Sequence, residues 1–273
     1  MKKKLAIALS LAMVMTMALT ACGGDNGGSS SNKGGSSSAQ PPAGGSSTSQ
    51  PGGDSGLAPK DGGTNLTFTT GGEAGTYYGF GSVIAGKVGD LTSTTVTAIS
   101  SGGSAQNIQS LEDGDAQLGF VQSDVMVYAF NGERTFAETG ASTGFSTVAN
   151  LYMEQVQIVT VDPSIKTVDD LKGKKVSVGA AGSGVFFNAV DVLSVYGLDV
   201  EKDITPTYQN FNDSAEALKD AQIDAAFVVA GAPTTAVTDL ASGRDISLVA
   251  LDDEHITALI EASPYYSKNI ISK

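Results

Sequence analysis

The stretch Leu66-Thr67-Phe68-Thr69-Thr70-Gly71-Gly72-Glu73-Ala74-Gly75-Thr76-Tyr77 contains the pattern that decides the fold of this chain. Its first five residues are rich in β-branched side chains and alternate in polarity, which predicts a strand that ends at the glycines. After this glycine turn, apolar residues recur at helical spacing, at Tyr77, Phe80, Ile84 and Val88. A strand, a glycine turn and an amphipathic helix in this order predict an α/β fold.

The same arrangement recurs along the chain and predicts two similar lobes. A predicted strand at residues 96–99 is followed by Gly102-Gly103-Ser104, which opens a helix, and then by a strand at residues 116–121. Residues 217–228 align without gaps on residues 110–121, with Leu, Asp and Phe coinciding. The two units are much farther apart than the repeats of a solenoid, so the pattern favours two lobes.

The segment between the two units gives the lobe boundaries. Residues 155–161 form a predicted strand that crosses between the lobes, and we expect the hinge near Glu154 to Val159. Thr167, with Asp170 three residues later and Gly173 as terminator, predicts a capped short helix. We assign lobe 1 to residues 65–156 and lobe 2 to residues 157–251, and we expect residues 252–273 to return to lobe 1.

The N-terminus predicts export. Three lysines follow Met1, an apolar run extends from Leu5 to Leu19, and small residues precede Cys22, which is typical of a secretory signal over residues 1–21. The run is too short to span a bilayer comfortably. Cys22 stands where a bacterial lipoprotein signal has its lipidated cysteine, so we expect a lipid anchor there. The alternative is a plain signal peptide with an unmodified Cys22.

Residues 22–64 predict a flexible linker. They are dominated by Gly, Ser, Pro, Gln and Asn with few apolar residues, so they bury too little surface to offset the entropy of ordering. The alternative is a disordered interaction segment. Cys22 is the only cysteine of the chain, which excludes an internal disulfide and a cysteine-based zinc or redox site.

The charge of the chain excludes one class of partner. The formal net charge is −13, and Arg134 and Arg244 are the only arginines. A surface this acidic repels phosphate backbones, and nucleic-acid binding is therefore not expected. The acidity also argues against binding anionic lipid, except through the covalent anchor. We attribute it to solubility.

Five turns, most of them rich in glycine and hydroxyl groups, follow predicted strands, and we expect them to converge on one cleft. They lie at residues 71–77, 102–104, 122–124, 182–185 and 231–234. Ligands of open α/β sheets bind at the carboxyl ends of strands, where helix N-termini offer unpaired N–H groups. Glycine lets the backbone approach a ligand closely, and Ser and Thr supply donors and acceptors. This arrangement suits a carboxylate or other small polar group held without a salt bridge. The alternative is that each turn serves only as a turn or a cap.

The candidate ligand-binding residues come from these five turns and from the residues beside them. They are Gly72, Thr76, Tyr77, Ser104, Gln122, Gly182, Ser183, Gly184, Val185, Asn188, Gly231 and Ala232. The aromatic residues Tyr77, Tyr78, Phe186 and Phe187 adjoin the turns and either wall the cleft or belong to the core. We expect at most one residue of each adjacent pair to face the cleft.

The order of these motifs resembles the TAXI family, the extracytoplasmic solute receptors of tripartite TRAP transporters. The similarity covers residues 66–266 and is carried by residues 70–78, 101–107, 119–124, 179–184 and 227–233. It implies a type II periplasmic-binding-protein fold with two lobes and a hinge, and delivery of solute to a permease driven by an ion gradient. It also implies an acidic amino acid, such as glutamate, or a related carboxylate as solute.

The resemblance carries specific residues over and departs at two places. Thr76, Tyr77, Ser104, Gln122, Ser183, Gly184 and Val185 match the cleft-lining positions of the family. Val185 stands where many relatives have Thr, which removes a hydroxyl. Related receptors also continue for some tens of residues beyond the position of Lys273, so lobe 1 is expected to be truncated or completed differently.

Other functions have weaker support in the sequence. His255 is the only histidine and falls in a predicted first helical turn, where a solvated residue is the simpler interpretation than part of a catalytic triad. No phosphate-binding loop or dinucleotide fingerprint occurs. Asp252, Asp253 and Glu254 could suggest a metal, but carboxylates that cap a helix explain them. We therefore expect neither an enzyme nor a cofactor nor a metal.

The predicted protein is a monomeric, lipid-anchored, extracytoplasmic receptor for a small molecule, with a TRAP-type permease as its partner. Two alternatives share the fold and the anchor. One is the substrate-binding protein of an ABC transporter. The other is a ligand sensor that reports to a signalling receptor.

Overall fold

The computed structural model describes residues 62–271 of the chain. The predicted signal peptide, the predicted lipidation site Cys22 and all but the last residues of the predicted linker lie outside this range. Among residues 62–271, no helix combines the length and the apolar character needed to cross a membrane.

Eight strands, seven α-helices and two short 3-10 helices make up the described fold. The strands are β1 (Asn65–Thr69), β2 (Thr95–Ile99), β3 (Leu118–Gly119), β4 (Gln155–Thr160), β5 (Lys175–Ser177), β6 (Thr205–Thr207), β7 (Ala225–Ala230) and β8 (Ser247–Leu248). The α-helices are α1 (Thr76–Leu91), α2 (Ser104–Glu112), α3 (Ser123–Asn131), α4 (Gly184–Val195), α5 (Phe211–Lys219), α6 (Thr235–Gly243) and α7 (Asp253–Ala262). This alternation confirms the predicted α/β class.

The strands form two sheets. The first has the order β2-β1-β3 and is parallel throughout, with Phe68 opposite Ala98 and Leu118. The second has the order β6-β5-β7-β4-β8, in which β5 pairs in parallel with β6 and β7. Strand β4 runs antiparallel to both of its neighbours. The first sheet therefore lies within residues 65–119 and the second within residues 155–248, while the lobe boundaries at residues 156 and 251 stay predictions.

Strand β7 is the centre of the second sheet, and all six of its residues are buried. Its side chains alternate between two apolar clusters: Phe227 and Val229 belong to one, and Ala226 and Val228 to the other. Because successive side chains of a strand point to opposite faces, both faces of this sheet are covered. A fully buried Phe or Val side chain contributes about 1.5–3 kcal/mol, so β7 anchors this part of the fold.

The core of the first sheet is smaller and is built from aromatic rings. Phe68 and Phe120 pack with their ring centroids 4.7 Å apart, and Tyr77 stacks on Phe120 at 4.9 Å. Ile84 and Val88 of α1 pack against the same cluster, which confirms the predicted helical spacing. Phe80, the remaining member of that pattern, is 38% exposed. The stacking ties the start of α1 to the sheet.

Two local predictions about helix caps are confirmed. The 3-10 helix Val168–Leu171 carries a capping box, in which the Thr167 N–H donates to the Asp170 carboxylate at 3.0 Å. Asp252 caps α7, because its Oδ1 accepts from the backbone N–H of Glu254 at 3.1 Å and of His255 at 3.0 Å. The bond from the His255 N–H, with further contributions from the His255 and Tyr196 side chains, lowers the pKa of Asp252 to about 2. Within residues 62–271, no group of three or more His, Cys, Asp and Glu is arranged to hold a metal.

The end of the described chain contacts both parts of the fold. Leu259 of α7 lies in the core that covers one face of the second sheet, where α7 packs against α4. After the helix, the ring of Tyr265 meets the ring of Tyr128 of α3 edge to face, at 6.1 Å.

Candidate functional site

A cavity of about 60 Å³ lies where the carboxyl ends of strands from both sheets meet. The residues after β1, β2, β3, β5 and β6 contribute to its wall, and so does the end of β7. The N-termini of α1, α2, α4 and α5 reach the cavity through Thr76, Ser104, Gly184 and Phe211. This is the position at which an α/β sheet offers helix N-termini to a ligand.

Eight of the twelve residues predicted from the sequence line this cavity. They are Gly72, Thr76, Tyr77, Ser104, Gln122, Ser183, Gly184 and Val185. Four of the five predicted turns therefore converge.

The other four predicted residues lie outside the cavity wall, and contacts account for three of them. The Gly182 carbonyl accepts hydrogen bonds from the N–H groups of Ala105 and Gln106, at 3.1 and 3.2 Å. Asn188 turns behind the cavity, where its Oδ1 accepts from Gln122 Nε2 at 2.9 Å. The Gly231 carbonyl accepts from Thr76 Oγ1 at 3.4 Å.

The fourth residue, Ala232, lines a second cavity of about 370 Å³. Gln155, Gln157, Leu248 and Ile270 are among the residues that share this wall. The turn after β7 therefore faces a different space from the other four turns.

Of the four aromatic residues that were candidates for the cleft wall, only Tyr77 lines the cavity. Phe187 is 6% exposed and packs edge to face on Tyr128, with 5.8 Å between ring centroids. It belongs to the apolar cluster that α4 shares with α2 and α3. The aromatic ring that does line the second side of the cavity is Phe211, at the start of α5, which the sequence reasoning did not select.

At the N-terminus of α4, a buried serine without a hydrogen-bond partner within residues 62–271 lies in the cavity wall. Ser183 is only 6% exposed, and its hydroxyl has no hydrogen-bond partner among the described residues. Ser183 is also the N-cap of α4, yet its side chain makes no capping bond. The first N–H groups of a helix have no partner within the helix, and the helix dipole makes this end favourable for an anion. The hydroxyl and these amides together suit a hydrogen-bond acceptor.

The other three helix N-termini at the cavity differ in how their N–H groups are used. Helix α1 begins after Gly75 without a side-chain cap. At α2, two N–H groups already donate to the Gly182 carbonyl, and the side chain of Asn210 caps α5 by accepting from Asp213 N at 2.9 Å. The amides of α1 and α4 are therefore the ones without such partners at this cavity.

A charged residue in the wall was not among the predicted ligand-binding residues. Glu154 lies just before β4 and lines the cavity, whereas the sequence placed it at the hinge. Burial raises the pKa of its carboxyl to about 8, and the charge of Asp124 adds to this, while the Tyr77 hydroxyl and the Gln122 amide act in the opposite direction. One feature of the sequence does single out Glu154, because it is the only charged residue between Glu138 and Asp162.

A polar network behind the cavity connects helices α3 and α4 with the segment that follows α7. Asn188 and Asp124 are 3% and 4% exposed, and Asn188 Nδ2 donates to Asp124 Oδ2. The same Nδ2 donates to Tyr266 Oη at 2.8 Å, and Tyr266 Oη donates to Asp191 at 3.1 Å. Arg134 completes the network with a 2.6 Å bond to Asp191. Helices α3 and α4 are thus joined by polar as well as apolar contacts.

A family model described as the NMT1-like family matches residues 68–273. The chain belongs to the NMT1-like family. This match includes the whole of the cavity wall described above and both sheets, apart from the first residues of β1.

The chain is also similar to solved structures of binding proteins. The alkanesulfonate-binding protein SsuA from Xanthomonas axonopodis pv. citri is 21% identical, with a TM-score of 0.46 over 68% of this chain and 60% of that one. The aliphatic sulphonate binding protein SsuA from Escherichia coli is 20% identical, with a TM-score of 0.42 over 69% of this chain and 60% of that one. A binding protein component of an ABC phosphonate transporter from Pseudomonas aeruginosa is 12% identical, with a TM-score of 0.49 over 74% of each chain. The chain thus spans 60% of the length of either SsuA protein.

Proposed function

We propose that this chain is a solute-binding protein that holds a small carboxylate-type solute in the cavity and delivers it to a membrane transporter. The observation that carries the proposal is the α4 N-terminus, where the buried, unpartnered hydroxyl of Ser183 lies beside free helix amides. A glutamate-like amino acid or a small dicarboxylate fits this chemistry. The match to the NMT1-like family, which spans the residues of the cavity wall, is consistent with the proposal.

The polar groups of the wall account for binding without a basic residue. An anion near a helix N-terminus gains roughly 0.3–1 kcal/mol, and about 2 kcal/mol in a partly buried geometry. A hydrogen bond to a charged group adds about 1.5–3 kcal/mol. Helices α1 and α4 with the Ser183 hydroxyl therefore supply enough interaction for one carboxylate.

Admission of the solute requires movement of the two parts of the cleft. The cavity holds about 60 Å³, whereas small-molecule pockets span roughly 300–1,000 Å³. The hydrogen bonds from Ala105 and Gln106 to Gly182 cross the cleft and have to break when it widens. We place the hinge near Glu154 to Val159, so that the two sheets part and close again around the solute.

The location and the anchor are further parts of the proposal. The signal pattern of residues 1–21 supports export, and Cys22 supports a lipid anchor that holds a monomeric receptor at the membrane. Residues 22–64 would then act as the tether between the anchor and the cleft.

Two classes of transporter are candidates for the partner. The sequence motifs resemble receptors of TRAP transporters, which an ion gradient drives. A binding protein component of an ABC phosphonate transporter is among the similar solved structures, which fits the ABC alternative better than the TRAP alternative. A sensor that reports to a signalling receptor is the third candidate.

Uptake assays in cells distinguish these partners. An ionophore that collapses the ion gradient while ATP is maintained stops uptake through a TRAP-type permease and spares an ABC importer. Depletion of ATP with the gradient maintained has the opposite effect. Uptake that does not depend on the protein at all favours the sensor.

The cleft assignment is tested by replacing Ser183 with Ala. We expect the affinity for the solute to fall about tenfold or more, because a bond to a charged group is lost. Ser194→Ala, on the exposed side of α4, is the matched control and should bind as the unchanged protein does. Equal affinity of Ser183→Ala and the control would contradict the assignment.

A further inference from the structure

The charges around the cavity are unbalanced. Glu154 is the only acidic residue among the lining residues, and none of those residues is Lys, Arg or His. The free N-termini of α1 and α4, together with the Ser183 hydroxyl, favour an anion in the same small space. An ionised Glu154 would repel that anion within the same poorly screened cavity.

The groups that face Glu154 do not supply a compensating charge. Tyr77 faces it from α1, Tyr152 from the segment before β4, and Gln122 and Asp124 from the start of α3. Tyr77 and Tyr152 stay neutral, because burial and the nearby Glu154 raise the pKa of both hydroxyls. Asp124 contributes only negative charge.

The second side of the cavity is likewise uncharged. Ser183 and Asn210 approach from the starts of α4 and α5, and Val229 from β7. Burial without a cationic partner therefore favours the neutral carboxylic acid. This conclusion agrees with the raised pKa of Glu154, which lies above neutral pH.

We propose that Glu154 is a binding residue that acts as a neutral carboxylic acid and donates a hydrogen bond to the anionic group of the solute, so that the anion is bound together with a proton. This inference rests on the proposed function and deepens it, because it adds the protonation state at which the site accepts its solute. Below about pH 8 the proton is already present on Glu154. At higher pH, binding takes one proton from the solvent.

This role predicts which solutes the site selects. An anionic group next to Glu154 binds best at low and neutral pH, and its affinity falls by up to about tenfold per pH unit once Glu154 is ionised. A solute that presents an ammonium group to Glu154 would behave in the opposite way, because it prefers the ionised carboxylate. The sign of the pH dependence therefore separates the two kinds of contact.

The test uses the purified chain and calorimetric titration with succinate and, separately, L-glutamate between pH 6.5 and 9.5. We expect wild-type affinity for at least one of these probes to be constant to pH 7.5 and to fall about tenfold between pH 8.5 and 9.5. Glu154→Gln, which keeps a hydrogen-bond donor at the same position but has no proton to release, should bind with an affinity that no longer depends on pH. Glu261→Gln, on the exposed end of α7, is the control and should behave as wild type.

A second measurement needs no solute. In protein labelled with ¹³C at the glutamate side-chain carboxyls, one resonance should titrate with a pKa well above the usual range for glutamate. This resonance should be missing from the spectrum of Glu154→Gln. Three results would each overturn the inference: a Glu154 pKa close to the ordinary value for glutamate, a solute affinity that rises with pH, or loss of binding at pH 7 in Glu154→Gln. If the pKa of Glu154 is raised but neither succinate nor L-glutamate binds, the protonation of Glu154 is established and the proposed solute class is contradicted instead.

Discussion

Asn188 of α4 donates a hydrogen bond from Nδ2 to Oδ2 of Asp124 on α3, over 3.1 Å. Both side chains are almost fully buried, and burial raises the pKa of Asp124. Asn188 also accepts from Gln122, whose side chain lines the cavity. Asn188 therefore joins the two helices and fixes a wall residue, although it does not line the cavity itself.

Replacement of Asn188 by Ala should lower stability more than a typical surface change does. It leaves Oδ2 of the buried Asp124 carboxyl without its donor, while Oδ1 keeps the bond from the Val125 N–H, and the loss costs about 1–3 kcal/mol in the free energy of unfolding. Chemical denaturation measures this difference. Asn212→Ala, at an exposed position of α5, is the control, and an equal effect of both changes would contradict the role of Asn188.

Gly184→Ala should disturb the wall through Gln122. A Cβ atom at Gly184 would overlap the Gln122 side chain and come within 3.1 Å of Val125. Gln122 then has to leave its place beside Asn188, and stability should fall by about 1–3 kcal/mol with a loss of solute affinity. Gly243→Ala is the control, because no atom lies within 4 Å of the added Cβ. Thermal unfolding and calorimetry of both variants check the prediction.

Glu154 should make the stability of the folded chain depend on pH. Its pKa rises from the ordinary 4.5 to about 8 in the folded protein, so between these values the folded state holds a proton that the unfolded chain has released. The free energy of unfolding therefore falls as pH rises through this window and levels off above it. Glu154→Gln removes this contribution, so its stability relative to wild type should increase from pH 5 to pH 8. A constant difference in denaturation midpoint would contradict the assignment.

The elements with strong local patterns were predictable from the sequence. The predicted strand at residues 66–70 is observed at Asn65–Thr69, because its β-branched alternation and its terminating glycines are local signals. The strand predicted at residues 116–121 is reduced to Leu118–Gly119, since it lies at the edge of the first sheet and pairs only with the end of β1. Pattern alone does not define how far an edge strand pairs.

The candidate site was predictable to the extent that it follows from topology. Turns after parallel strands meet at one edge of a sheet, and this rule located Ser104, Gln122 and Ser183. It could not locate Glu154, whose place in the wall depends on how α1 and α3 pack beside it. Nor could it show that Asn188 turns toward Asp124, because that orientation depends on a contact between distant helices.

Calorimetric titration of the purified, folded protein with L-glutamate, L-glutamine and succinate is the decisive test of a carboxylate site in this cavity. We expect binding of at least one of these compounds with a dissociation constant in the micromolar range or below, weakened in Ser183→Ala and unchanged in Ser194→Ala. The absence of binding for all three, or binding that is equally strong in both variants, would contradict a carboxylate site at the N-terminus of α4.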